Sequence, residues 1–306
     1  VRVLLVVNPA ASSVTARRRV LVGRAIAARH DLYVAHTSRR DHATELAQGA
    51  VRDGLDCVAV LGGDGTLNEV ATALAGTGVA LAPLPGGSTN VFARTIGLSD
   101  DPVAAATTLA EALAAGSVRR IGMGEVNGRS FLFHTGVGFD AEVVAGVERR
   151  GRLKPYLGHA LFAAEAVRAF FFAYGRRRPH FTVDLGDGDV VDDAYFTIVM
   201  NSDPYTYVRH RPFTVSTAAT LERPFVVMTL RSLRLRRFLP VLFDALRDRE
   251  GLGPHPFLDL RTDVTSLVVR RTTTMPYQVD GDHLGDADEL RFTHRPDAVD
   301  LVVPLP

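Results

Sequence analysis

The densest chemistry in this chain of 306 residues lies in Val58-Ala-Val-Leu-Gly-Gly-Asp-Gly-Thr-Leu-Asn-Glu-Val70. A short apolar run, Cys57 to Leu61, ends in Gly62-Gly63 where a helical pattern (Leu67, Val70, Ala71, Leu74) begins. Glycines at such a turn remove the Cβ atoms that would hold an anion away from backbone N–H groups. A helix starting at Thr66 adds orphan donors and a positive dipole end. Asp64 is the odd member, because a carboxylate repels bound phosphate unless a cation or a hydroxyl lies between them. It points to a metal-bound nucleotide or a ribose contact, with Asp64 as the candidate metal-orienting group. The plainer reading is a glycine turn capped by Asp64 and Thr66. A second glycine turn, Pro85-Gly86-Gly87-Ser88-Thr89-Asn90, and a triplet of two carboxylates around a glycine, Asp280-Gly281-Asp282, complete the chemistry-bearing stretches. The triplet could aim both carboxylates at one site, or be an ordinary surface turn of the kind expected at Gly186-Asp-Gly-Asp189.

The elements that must position these residues alternate. Strands are expected at Val1–Val7, Leu32–His36, Cys57–Leu61 and Val79–Leu84, and helices at about Ser13–Arg29, His42–Arg52, from Thr66, and from Asp101-Pro102 to Gly116. This β-α-β-α-β-α-β order implies a doubly wound parallel sheet. The ends of parallel strands share one edge, where ligands of such sheets sit. Asn8-Pro9, Thr37-Ser38 and both glycine turns then converge there.

After Gly116 the pattern changes to strand-like runs: Val118–Val126 and Ser130–His134 around Asn127-Gly128, Phe181–Leu185, Val190–Met200, Pro224–Leu230, Val264–Arg271, Pro276–Val279 and Glu289–Thr293. The expected organisation is an α/β domain over 1–121 and an antiparallel β domain over 122–297. The last run, Ala298–Leu305, could pair with either. A helix from Tyr156 to Tyr174, with Phe170-Phe171-Phe172 and basic flanks, is too charged to span a membrane; it could lie on an anionic surface or pack in the core. A second helix, Leu233–Arg249, carries Pro240 and is expected to be a kinked packing helix.

Composition narrows the classes. Hydrophobic residues make up 46% and charged residues 23%, as in an ordinary globular protein. A formal net charge of +1 supplies no global field for nucleic acid. The single cysteine, Cys57, cannot form an internal disulfide and fits a reducing, cytoplasmic setting; no leader or anchor is expected at the start of the chain. Lys154 is the sole lysine, and no Gly-x-x-x-x-Gly-Lys-Ser/Thr string occurs, so a P-loop lysine is excluded.

The two glycine turns with Asn68-Glu69 and Val91-Phe-Ala-Arg94, the opening Asn8-Pro9, the helix start His42-Ala-Thr-Glu-Leu-Ala47, Thr135-Gly-Val-Gly-Phe-Asp-Ala-Glu142 and Val279-Asp-Gly-Asp282 together resemble the diacylglycerol kinase catalytic domain, and more closely the bacterial lipid kinases of that superfamily, which includes sphingosine kinases. The resemblance implies an ATP-binding α/β domain of the kind also found in NAD kinases, a C-terminal β-sandwich and an active site in the interdomain cleft. ATP with Mg²⁺ would be held by Asn8, Thr37, Gly62, Gly63, Asp64, Gly65, Thr66, Asn68, Gly87, Ser88 and Asn90, and the acceptor would be a lipid alcohol such as diacylglycerol. Asp282 would be the base, with Asp280 beside it and Asp64 serving the metal. Asp282 stands where the family has glutamate, one methylene longer. In Ala219-Thr-Leu-Glu-Arg-Pro-Phe225, Arg223 stands where the family's structural magnesium turn has aspartate, so that metal is not expected; an arginine could stand in for the cation.

Of the remaining candidates, Arg94 could face phosphate or solvate its helix, and His134, Asp140 and Asn201 end expected strands near the presumed cleft, with a structural role favoured for the histidine. Peripheral contact with a membrane is expected of a lipid kinase, and an exposed sheet edge could support a homodimer. The alternatives are an NAD-kinase-like phosphotransferase, against which the Pro85–Arg94 turn and the Asp280–Asp282 triplet argue, and a nucleotide- or lipid-binding regulator without catalysis, which the shortened Asp282 keeps open.

Overall fold

The computed structural model describes residues 1–139, 141, 143–144, 146, 180–208, 211–247 and 251–305. The chain divides into two compact units, Val1–Gly122 with Pro296–Pro306, and Met123–Arg295. The expected helix Tyr156–Tyr174 with its basic flanks, and Asp140, lie outside the described residues.

Unit 1 runs β1 (Arg2–Val7), α1 (Ala16–Ala27), β2 (Asp31–His36), α2 (His42–Arg52), β3 (Cys57–Gly62), α3 (Asp64–Leu74), β4 (Ala80–Pro85), α4 (Val91–Thr95), α5 (Pro102–Ala114). Its strands are parallel in the order β4-β3-β1-β2, and Leu301 pairs in parallel with Leu81 on the far side of β4. Successive side chains of a strand face opposite ways, and in β1, β3 and β4 the apolar runs are continuous because both faces are covered, whereas the edge strand β2 is largely exposed. Val3, Leu5 and Val7 of β1 and Cys57, Ala59 and Leu61 of β3 share a core with Val22 and Ile26 of α1 and Ala105, Leu109 and Ala112 of α5. The alternate residues Leu4, Val6, Val58 and Val60 are equally buried, and α2 and α3 pack together and on β1 and β3. Local signals set the helix starts: Thr15 caps α1 by accepting from the Arg18 N–H, and Asp101 caps α5 with Pro102 at its first position. One start differs from expectation. Helix α3 begins at Asp64 with Gly63 as its N-cap, which places Thr66 inside the first turn.

Unit 2 is built from the end of β5 (Val118–Val126), β6 (Arg129–Phe131), β7 (His134–Gly138), β8 (Phe181–Asp184), β9 (Val190–Ala194), β10 (Phe196–Met200), β11 (Thr206–Val208), β12 (Arg211–Phe213), β13 (Phe225–Leu230), α6 (Leu235–Arg247), β14 (Leu258–Val264), β15 (Ser266–Val279) and most of β16 (Asp282–Val302). Its main run, β14-β13-β10-β7-β15-β16, is antiparallel throughout. Alternation divides two cores: Val199, Phe225 and Val227 face one with Phe131 and Phe292, while Ile198, Met200, Val226 and Met228 face the other, into which Val241 of α6 packs. Phe131 stacks on Phe225 at 5.5 Å between centroids. Its ring also fills the space over Gly124, where a Cβ would lie 2.0 Å from the ring.

The α/β plus antiparallel β class agrees with the sequence reading, but some boundaries do not. The run 190–200 is two strands: β9 pairs back on β8, whereas β10 enters the sheet between β7 and β13. The runs 289–293 and 298–305 belong largely to one strand, β16, and β14 had no counterpart in the expectation. Helix α6 does contain Pro240. Among the described residues no helix is long and apolar enough to cross a membrane.

Candidate active site

The strand order of unit 1 creates a switch point. From β1 the chain moves to β2 on one side, and from β3 it moves to β4 on the other, so the carboxyl ends of β1 and β3 border the crevice where such sheets bind ligands. The residues found there are the ones the sequence singles out. Asn8, just past β1, donates from Nδ2 to Thr66 Oγ1 at 2.9 Å, closing the two strand ends together. Its Oδ1 accepts from the Ala10 N–H. Thr37, past β2, is fixed by its backbone N–H to Val7.

The two glycine turns lie backbone against backbone. Gly86 N donates to Gly62 O at 2.9 Å, and a Cβ on Gly86 would sit 2.7 Å from Gly62 N. A Cβ on Gly87 would sit 2.9 Å from Gly63 Cα. These glycines are therefore needed for the turns to pack at all. Asn90, in the left-handed region at φ 50°, closes the second turn by accepting from Gly87 N–H through Oδ1 and donating from Nδ2 to Gly87 O. Ser88 stands exposed between them.

Asp64 turns away from its own helix. Its two carboxylate oxygens accept from the N–H groups of Val91 (3.1 Å) and Phe92 (3.3 Å), so it caps α4, whose own N-cap Asn90 supplies no side-chain bond. Glu69 does the same for α2, accepting from Asp41 N–H and Ala43 N–H at 3.1 Å each, where Asp41 makes no side-chain cap. No local signal in the sequence marks Glu69 for this, because its partners lie 26 and 28 positions earlier. Both acids of the first motif thus hold neighbouring helix starts, and Gly63 leaves α3 without a side-chain cap. The start of an 11-residue helix, partly exposed at Gly63, Asp64 and Gly65, fits an anion such as a nucleotide phosphate. Arg94 is largely buried and paired with Asp100 at 3.6 Å.

In unit 2, Asp280-Gly281 forms the two-residue loop joining β15 to β16, with φ of 48° and 85° and Val279 paired with Asp282. Asp280 is no surface turn residue. Only 6% exposed, it accepts through Oδ2 from Leu132 N–H (2.8 Å) and through Oδ1 from Phe133 and His134 N–H (3.0 and 3.1 Å). Asp282, one residue past the turn, is partly exposed. Of the pair, Asp280 fixes the turn and Asp282 is the one with access to solvent. By contrast Asp189, in the other Asp-Gly-Asp turn, pairs on the surface with Arg261.

Unit 2 holds further buried or partly buried polar groups beyond this turn. His134 is buried, its ring 4.2 Å from that of Tyr205, and burial pushes its pKa down to about 3, so it stays neutral. Asn201 donates from Nδ2 to Leu132 O. Asp203, which no local motif marks, accepts from Val215 and Ser216 N–H, while burial pushes its carboxyl up to about 6. Arg223 forms a forked ion pair with Asp263 (2.6 to 3.0 Å), so its charge is matched within the protein. Among the described residues no group of three or more His, Cys, Asp or Glu side chains is placed to hold a metal ion.

A doubly wound sheet joined to an antiparallel β unit is the fold of solved diacylglycerol kinase and NAD kinase structures. The structure superposes on a diacylglycerol kinase from Bacillus anthracis with a TM-score of 0.73 (20% identity, 99% of this chain and 96% of that one), and on an NAD kinase from Archaeoglobus fulgidus, solved in complex with ATP, with 0.53 (11% identity, 99% and 94%). Sequence comparison narrows the class. Residues 2–126 match the diacylglycerol kinase catalytic domain. The chain is 38% identical over 142 residues to a protein named "Probable lipid kinase YegS-like" from Pseudomonas aeruginosa (46% of this chain, 45% of that one), and 34% identical over 122 residues to the diacylglycerol kinase of Bacillus subtilis (39% of each). The aligned stretch spans under half the length of these curated relatives. The resemblance read from the motifs is borne out over this N-terminal stretch, which is similar to the bacterial lipid kinases and diacylglycerol kinases.

Proposed function

We propose that the protein is an ATP-dependent lipid kinase that phosphorylates the hydroxyl of a lipid such as diacylglycerol. The observation that carries this reading is the switch point, where Asn8–Thr66 and the two packed glycine turns present an uncapped helix start. Bound there, ATP with Mg²⁺ supplies an electrophilic γ-phosphoryl group whose charge the metal helps to neutralise. The chain's own residues do the rest. Backbone N–H groups from Gly63 to Thr66 receive phosphate, Ser88 and Thr37 offer hydroxyls at the same sheet edge, and Gly62, Gly87, Asn68 and Asn90 shape the turns. Asp64 positions the second turn through α4, and its carboxylate is the side chain that would serve the magnesium of a bound nucleotide. Asp282 takes the proton of the attacking hydroxyl, and Asp280 sets the turn that carries it. Peripheral membrane contact follows from a lipid acceptor; a homodimer through a sheet edge is an additional expectation.

The test is transfer from γ-labelled ATP with Mg²⁺ to mixed micelles containing diacylglycerol, sphingosine or ceramide, with NAD as a soluble comparison. Label in a lipid that is lost in Asp282→Asn, with ATP binding retained, supports the reading. Label in NAD alone, or an unimpaired Asp282→Asn, refutes it.

A further inference from the structure

Exposed large apolar side chains are scattered singly over most of the described surface, as is normal. Helix α6 is different. Leu235, Leu239 and Phe243 follow one another at intervals of four, and four residues make slightly more than one helical turn, so they form a single stripe. They are 42%, 49% and 59% exposed, and Phe243 is the most exposed large hydrophobic residue described.

This stripe is presented by a helix that is held firmly in place. Its opposite side packs Phe238 and Val241 against a core of unit 2. Arg237 lies 3.6 Å over the ring of Phe257, and Asp244 pairs with His255 at 2.8 Å, so both side chains are committed to the loop beneath the helix. At 100° per residue, the exposed arc that begins at Leu235 continues through Leu239 and Phe243 to Arg236 and Arg247, both exposed. Asp244, the sole acid of α6, falls outside this arc.

We propose that this arc of α6 docks on an anionic lipid surface, with Leu235, Leu239 and Phe243 entering the interface and Arg236 and Arg247 meeting the headgroup charge. The charge pattern selects this occupant. A large amphipathic contrast, apolar residues flanked by arginine and an absence of acids on the arc are what an interfacial helix needs. A second copy of the chain would have to bring the same arginines against each other. The inference gains its purpose from the lipid-kinase reading, since such an enzyme must meet its substrate at a bilayer, but its evidence is separate.

The experiment is sedimentation of the whole chain with phosphatidylcholine vesicles, with and without phosphatidylglycerol, at low and high salt. Wild type is expected to prefer the anionic vesicles and to be released by salt. Arg236→Gln and Arg247→Gln should each lower partition to anionic vesicles by about five-fold. The double variant Leu239→Ser/Phe243→Ser should lower it by at least about ten-fold. Both sets change exposed positions, and unchanged thermal melts would show that the fold is kept. Phosphorylation of a short-chain, water-dispersed diacylglycerol should be equal in all variants while phosphorylation of vesicle-borne lipid falls. Vesicle binding without any kinase activity would refute the functional reading and leave the docking surface standing. Wild type that ignores vesicles, variants that bind as well as wild type, or a dimer that the double variant dissociates would overturn the proposal.

Discussion

Asp280 separates a structural carboxylate from a chemical one, and the separation can be measured. Its side chain receives three backbone N–H groups, from Leu132, Phe133 and His134, all of which are buried. In Asp280→Ala those donors lose their acceptor together. A buried unsatisfied donor costs about 1–3 kcal/mol, so even after partial rescue by water the loss should be about 3–6 kcal/mol, a large share of a domain's usual 5–15. Alanine at φ 48° adds roughly another 1 kcal/mol. Asp280→Asn is gentler for a geometric reason. The Phe133 and His134 bonds both end on Oδ1 and can survive on the amide oxygen, while Leu132 N–H on Oδ2 then faces a donor, for about 1–3 kcal/mol. Asp282→Asn, at a partly exposed position, should change stability by under about 0.5 kcal/mol although it removes the proposed base. Urea unfolding gives the order, and amide exchange at Leu132, Phe133 and His134 gives the place: protection there should fall in both Asp280 variants and stay in Asp282→Asn. An Asp280→Ala protein as stable as wild type, or equal losses in Ala and Asn, would refute the assignment.

Three further outcomes are expected. Asp203, raised from 3.8 to about 6, keeps a proton in the folded state that the unfolded chain has released, so between those values its contribution falls as pH rises; His134, lowered from 6.5 to about 3, refuses a proton that the unfolded chain binds, so its contribution falls as pH drops. The two oppose each other between about pH 4 and 6, each at up to about 1.4 kcal/mol per pH unit. Urea titrations should therefore show stability rising with pH in Asp203→Asn and falling with pH in His134→Phe, and slopes of the opposite sign would sink the assignment. Gly86→Ala places a Cβ 2.7 Å from Gly62 N, so calorimetry should show a loss of about 1–3 kcal/mol together with loss of ATP binding. Glu69→Ala uncaps α2 and should cost about 1 kcal/mol in a thermal melt, with exchange rising at Asp41 and Ala43 rather than within α3.

Much of the molecule is legible in the chain because its signals are local. Continuous apolar runs closed by glycine turns give the parallel sheet, and Asp101-Pro102 and Asn127-Gly128 mark their helix start and hairpin directly. What the sequence does not show is where a side chain goes when its partner is distant. Asp64 reads as a metal-orienting group, yet its carboxylate meets N–H groups 27 and 28 positions away. Asp280 reads as half of a catalytic pair, while its partners lie 146 to 148 positions earlier. Strand breaks fail for a related reason. Tyr195 is as apolar as its neighbours, and only the exchange of pairing partners between β9 and β10 makes it a corner. In β16, exposed Arg295, Pro296 and Asp297 interrupt an apolar pattern without interrupting the strand.

The parallel pairing of Leu301 with Leu81 has a consequence for how the protein is made. Val302 is a fully buried member of the unit 1 core, yet it is synthesised only after all of Met123–Arg295. During translation the nascent N-terminal sheet therefore emerges with one flank of β4 unpaired, and it stays so until residues 299–302 leave the ribosome. Expressing residues 2–126 alone would make that interval permanent, leaving an open apolar edge of the kind that invites association between chains.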